Sequence, residues 1–152
     1  MKPEKALEQT TSYLKNLQEA SKRYVAVGLP RENVGSEVYS SGKTILEVGA
    51  SHEYGAGVPM RSFLRMPFDV EDKKISAEIG KQFKKVFDGN RSVEKALGLI
   101  GAMARNIVIM AFKTGGFGNW KDITQTTKEL KGSSKILIDS GTLRNSITWV
   151  VR

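Results

Sequence analysis

Hydrophobic positions change period several times along the chain. Residues 4–22 place Leu7, Leu14, Leu17 and Ser21 near one seam, with lysine and glutamate elsewhere, which predicts a helix. The run RYVAVGLP then switches to alternation: Val25 and Val27 interleave with Tyr24 and Ala26, and Gly28 and Pro30 close a short strand. The connection RENVGSEVYSSG reads as too polar for the core. Thr44 and Glu47 have the T-x-x-E spacing of a capping box, predicting a helix over 45–54 that Gly55 stops. A hairpin of Glu37–Ser40 with Thr44–Val48, turning at Ser41-Gly42, is the competing reading. VPMRSFLRMP, bracketed by Pro59 and Pro67, reads as extended.

Residues 68–87 form the clearest amphipathic helix. Phe68, Val70, Ile75, Ile79, Phe83 and Val86 line one side, and Asp69, Glu71 and Asp72 occupy the first turn, where carboxylates favour the helix dipole. Residues 92–112 are apolar on most sides and predict a central helix, with Gly98 and Gly101 admitting a close neighbour. Residues 113–135 are polar and glycine-rich and read as a loop, mobile in the free subunit, with one or two helical turns within 124–131. In KILIDSGTLRNSITWVVR, Asp139 and Ser140 suit the N-cap of a short helix at 141–145, and Ser146 to Val151 alternate as a strand. The pattern predicts an α+β fold in a single domain, 1–152. A small, mainly antiparallel sheet packs against two long helices, with an N-terminal helix at 1–23 and long polar loops.

The composition, 39% hydrophobic and 26% charged over 152 residues, is that of an ordinary globular domain. The chain has no cysteine, so disulfides, thiolate zinc sites and a cysteine nucleophile are excluded. The first eleven residues are charged and carry no apolar run, so no signal peptide is expected. Ala96 to Phe112, the most apolar stretch, is short for a membrane span and is interrupted by Arg105 and Asn106. An arginine at a helix centre costs about 2.5–3.5 kcal/mol to insert, so a buried helix is expected and no membrane partner. The net charge of +8 concentrates in residues 101–152, which hold 8 basic and 3 acidic side chains. These cations are scattered along the chain. A small basic nucleic-acid-binding module stays open as an alternative, and its mark is affinity for duplex DNA that falls steeply with salt.

Candidate chemistry centres on His52, the only histidine, beside Glu53. The pair begins the zinc motif H-E-x-x-H, but position 56 is alanine, and chelation needs the second histidine. Neighbours on a helix point about 100° apart, which separates the two side chains as acid and base. GSEVYSSGKT has six residues between Gly35 and Gly42 where a phosphate-binding loop has four. Ser140 lacks the G-x-S-x-G frame of a nucleophile elbow. No catalytic constellation and no cofactor site emerge. An enzyme built on His52 and Glu53 is the other alternative, and its mark is an activity abolished by His52→Ala.

The order of motifs is more telling. HEYG is followed by VPMRSFLR, a long helix pair, then GNWKDIT and LIDSGTLRNSITW. Over about residues 45–150 this arrangement resembles the virion-morphogenesis, or tail-completion, proteins of tailed bacteriophages. There a helix ending in His-x-aromatic-Gly precedes P-x-R-x-F-L, and a later Trp, Thr and Lys precede L-I-D-T-G-x-L-R-x-S-I. The first pattern falls on His52, Tyr54, Gly55, Pro59, Arg61, Phe63 and Leu64, and the second on Trp120, Thr127, Lys128, Leu137, Ile138, Asp139, Gly141, Leu143, Arg144, Ser146 and Ile147. Met60 departs from the usual alanine or glutamate, Ser62 from the common proline, and Ser140 from threonine.

The resemblance implies a non-enzymatic virion component made in the bacterial host cytoplasm and placed at the neck or tail end. It implies a homo-oligomeric ring that joins head to tail through other phage neck and tail proteins, with non-specific contact to DNA in its lumen. Loops 29–43 and 113–135 would order on contact with neighbours. Arg61, Arg65, Trp120, Lys128 and Arg144 are then candidates for assembly contacts, with Arg61 and Arg65 open to carboxylates. His52, Gly55, Pro59, Phe63, Asp139 and Gly141 are structural motif residues. One outcome follows for the histidine: metal analysis of the purified protein finds no stoichiometric zinc. One tightly held ion per chain, lost in His52→Ala, would contradict this.

Overall fold

The computed structural model describes residues 2–34, 38–124, 129 and 141–152. Its elements are α1 (Pro3–Lys22), β1 (Val25–Gly28), α2 (Arg31–Val34), α3 (Ile45–Tyr54), α4 (Arg65–Val70), α5 (Asp72–Phe87), α6 (Val93–Thr114), α7 (Thr142–Asn145) and β2 (Thr148–Val151). The fold is α+β. A two-stranded antiparallel ribbon pairs Val25 with Val151 and Gly28 with Thr148, and the N–H groups of Tyr24 and Arg152 bond each other's carbonyls at 2.8 Å beyond it.

α6 is the spine. Ser92 caps its first turn and Gly115 closes it in the left-handed conformation. By length and composition α6 could cross a membrane. Here one face of it supplies the core, while Leu99 and Met110 stay exposed. Val108, Ala111 and Phe112 join Phe63, Ile45, Leu143 and Ile147 in one cluster, and Val93, Ala96 and Leu97 join Val86 in a second. Arg105, which interrupts the apolar run, donates from Nε to the Ile147 carbonyl at 2.8 Å and ties α6 to the approach to β2. The capping box at α3 forms as its spacing predicts. Thr44 Oγ1 accepts from the Glu47 N–H, and the Glu47 carboxylate accepts from the Thr44 N–H at 2.8 Å. That backbone bond, and then the Thr44 hydroxyl, hold the Glu47 carboxyl below its usual range. The competing hairpin is also partly present: Val38 bridges Thr44, with a tight turn at Gly42. The same segment therefore turns first and caps second.

Four expectations are corrected. The helix expected over 68–87 begins at Arg65 and divides at Glu71, so VPMRSFLRMP is extended only in its first part. Pro67 fits because it lies in the first turn of α4, where its missing N–H has no helical acceptor. The polar connection after β1 contributes to the core through Val34, which is 3% exposed in α2. In α1 the seam Leu7, Leu14 and Leu17 is exposed, and the docked face is instead Tyr13, Asn16 and Ala20. The Tyr13 ring stands 4.9 Å from Phe87, and Asn16 Nδ2 donates to the Val86 carbonyl. Within the expected loop 113–135, α6 runs on to Thr114, and Trp120 and Ile123 are buried, so its first part is packed. The remainder, 125–128 and 130–135, lies outside the described residues.

The close approach at Gly101 is quantitative. A Cβ there would stand 2.7 Å from Val25 Cγ2 and 2.9 Å from Trp149 Cδ2, whereas one at Gly98 would meet Trp149 at 3.5 Å. Gly101→Ala should therefore lower stability by about 1–3 kcal/mol through overpacking. Gly98→Ala should be neutral or stabilising, since alanine is the better helix former by up to ~1 kcal/mol. Urea unfolding of both variants measures the difference.

Candidate functional site

The motif residues converge on the junction between α3 and α4. α3 ends at Gly55, whose φ of 74° is left-handed and whose N–H reaches the Ser51 carbonyl. A side chain at Gly55 would be strained there and would meet Met60 at 3.0 Å. The chain doubles back past Pro59, and the Arg61 N–H bonds the His52 carbonyl at 2.8 Å. This return brings the next residues under the Glu53 side chain.

Glu53 is 5% exposed and accepts four hydrogen bonds. Its Oε1 takes the Ser62 hydroxyl at 2.8 Å and the Arg65 N–H at 3.2 Å. Its Oε2 takes the N–H groups of Phe63 at 2.8 Å and Leu64 at 2.9 Å. Ser62 Oγ in turn accepts from the Met66 N–H at 3.0 Å. The carboxylate and the serine thus saturate the free donors at the start of α4, a cap supplied from a different helix. In the sequence Glu53 stands out only as the neighbour of His52. The available signal was Ser62, four residues before Met66 at a helix start.

Arg61 and Trp120 hold the other side. Arg61 is 6% exposed, and its Nε and Nη2 both donate to the Lys121 carbonyl at 3.2 Å. Burial lowers its pKa and the nearby Asp122 carboxylate opposes this. Arg61 is therefore not open to an outside carboxylate: its guanidinium is enclosed by the 120–122 segment. Trp120 is likewise a core residue. Its Nε1 donates to the Ser62 carbonyl at 3.2 Å, and its ring meets Phe112 edge-on at 5.7 Å, while the Phe63 ring lies tilted against Phe112 at 5.3 Å.

The C-terminal motif reaches the same core. Gly141 takes the N-cap of α7 at φ 79°, so the cap is Gly141 where Asp139 or Ser140 was expected. Leu143 and Ile147 are buried in the cluster that holds Phe63. Arg144 points elsewhere, its Nε and Nη2 each 3.3 Å from Asn145 Oδ1. Arg65 is exposed, as are Tyr54 at 71% and Met60 at 59%. Lys128 and Asp139 lie outside the described residues, as do Thr127, Leu137, Ile138 and Ser140. The structure thus brings together His52, Glu53, Gly55, Arg61, Phe63, Trp120 and Leu143 in a clamp, and leaves Arg65 and Arg144 on the outside. Among the described residues no group of three or more histidine, aspartate or glutamate side chains is placed to hold a metal ion.

Comparisons of the chain with family models, curated proteins and solved structures find no match.

Glu53→Ala would leave four donors without an acceptor in a buried place, each costing about 1–3 kcal/mol. The expected loss is at least ~3 kcal/mol, large for one substitution. Tyr54→Ala, its exposed neighbour, should change stability by less than ~0.5 kcal/mol. Thermal or urea melts of the two variants side by side give the contrast.

Proposed function

We propose that this chain is a non-enzymatic structural subunit of a tailed-phage virion, a tail-completion or neck protein that joins head to tail by assembling into a ring. The observation that carries this reading is how the motif's polar side chains are used. Glu53, Ser62, Arg61 and Trp120 bond the chain's own backbone or one another, and each is enclosed. Arg61 and Trp120, which fall on the phage family's pattern, and Glu53 and Ser62 beside them therefore support a shape. Such a shape serves assembly, where exposed positions beside the clamp, among them Tyr54, Met60 and Arg65, meet neighbours.

Deletion of the gene from the phage that carries it tests the proposal. Lysates should then contain DNA-filled heads and separate tails that do not join, and the purified protein added back should restore joined particles. Antibody labelling should place the protein at the head–tail junction of intact virions. Normal particles from the deletion, or a protein absent from purified virions, would contradict the reading.

A further inference from the structure

Among the described residues, both outer edges of the ribbon are unpaired. Tyr24 and Arg152 form a hydrogen-bonded pair, and the register then alternates, so Ala26/Val150 and Gly28/Thr148 face inward. The N–H and C=O groups of Val25 and Val27 point outward from β1, and those of Trp149 and Val151 outward from β2. None of these groups has a hydrogen-bond partner among the described residues. Such edges are templates for another strand.

The β1 edge opens into an apolar groove of about 610 Å³ lined by Val25, Val27, Phe68, Ile75, Ile100 and Ala104. Asp69 and Asp72 stand on its rim, both exposed and neither in an ion pair among the described residues. On a chain of net charge +8, this acidic rim beside an open strand selects a basic, apolar strand. β2 has that character: TWVV is flanked by Arg144 and Arg152. Arg152 already pairs with Glu32, whereas among the described residues Arg144 reaches only the Asn145 amide.

Polarity agrees with the charges. Val25 packs against the cluster that holds Val86, at the far end of α5, and the Gly28 end lies against Leu64, just before α4. Asp69 and Asp72, at the junction of α4 and α5, therefore flank the Gly28 end of β1. An antiparallel strand laid on β1 begins at that end. If the strand is β2 of another copy, Arg144, four residues before Thr148, arrives beside the two aspartates.

We infer that β1 of one copy pairs with β2 of the next, continuing the sheet across the subunit boundary, with Arg144 of the incoming copy against Asp69 and Asp72. The contact joins two different edges, so it is head-to-tail, and repetition by rotation closes a ring with antiparallel strands throughout. The inference rests on the ring reading above and names its interface.

The test measures mass by light scattering across a concentration series for the full chain, Arg144→Glu, Asp69→Lys/Asp72→Lys, and the triple exchange. The wild type should assemble. Each single-sided variant should weaken assembly by at least about tenfold, because like charges then meet across the seam, and the triple exchange should restore it. Hydrogen exchange adds a readout that survives a poorly folding variant: the Val25 and Val27 amides should be protected in the wild-type assembly and exchange freely in the monomer. A wild type that stays monomeric, single-sided variants that assemble normally, a triple exchange that stays dissociated, or assembly with Val25 and Val27 unprotected would each overturn the inference. A two-subunit species insensitive to Arg144→Glu would mean that like edges pair, and overturns it too. Virion labelling is independent of all these outcomes, so a failed interface and a failed head–tail role are told apart.

Discussion

A single buried carboxylate sets the geometry on which the middle of this protein depends. Glu53 makes no ion pair among the described residues. It is held by one hydroxyl and three backbone N–H groups at the start of α4. A helix start normally takes its cap from the residue just before it. Here the cap comes from α3, so the angle between two helices is tied to four hydrogen bonds at one point. The return through Gly55 and Pro59 exists to bring those donors within reach. Phe63 is then carried fully into the core as a consequence of where its own N–H must go.

The same junction explains why residues suited to chemistry are enclosed. Arg61 leaves the turn that Glu53 defines and anchors the Lys121 carbonyl, which keeps Trp120 over Phe112. Trp120 closes the circle by donating to the carbonyl of Ser62, whose own hydroxyl Glu53 holds. Removing any of these polar groups would leave a buried partner unsatisfied, which is costly in a low-dielectric place. Their dense mutual bonding gives a rigid surface around the exposed Tyr54 and Met60.

Much of this was legible in the sequence wherever one local rule decided the outcome. The Thr44–Glu47 box, the Gly55 stop, the strand at Val25–Gly28 and the central helix follow from spacing alone. What escaped depended on distant partners. Nothing local tells that Glu53 caps a helix eleven residues on, so the start of α4 read as extended and its break at Glu71 was hidden by a continuous apolar stripe. Arg61 and Trp120 read as contact residues because arginine and tryptophan favour interfaces, yet a carbonyl sixty residues away enclosed the first. In α1, leucines at regular spacing read as the inner face. The inner face was chosen instead by where Phe87 and Val86 lie, which periodicity cannot report.

That last failure bears on assembly. Within the described residues the chain satisfies its buried polar groups closely around Glu53, while it leaves apolar and hydrogen-bonding capacity unmatched elsewhere. The α1 seam of Leu7, Leu14 and Leu17 is exposed at 69%, 58% and 46%. Among the described residues the outer edges of the ribbon keep free backbone groups, and the β1 edge adjoins an apolar groove. A monomer selected to remain alone blunts such edges with charge, bulges or a covering element. Here two aspartates stand on the rim of the groove beside β1, and they attract a cationic strand as readily as they discourage an acidic one. A closely bonded clamp around Glu53 and the open edge of β1 beside it, whose Gly28 end lies against Leu64, set a part that fixes shape next to a part with unmatched bonding capacity, as the ring proposal needs.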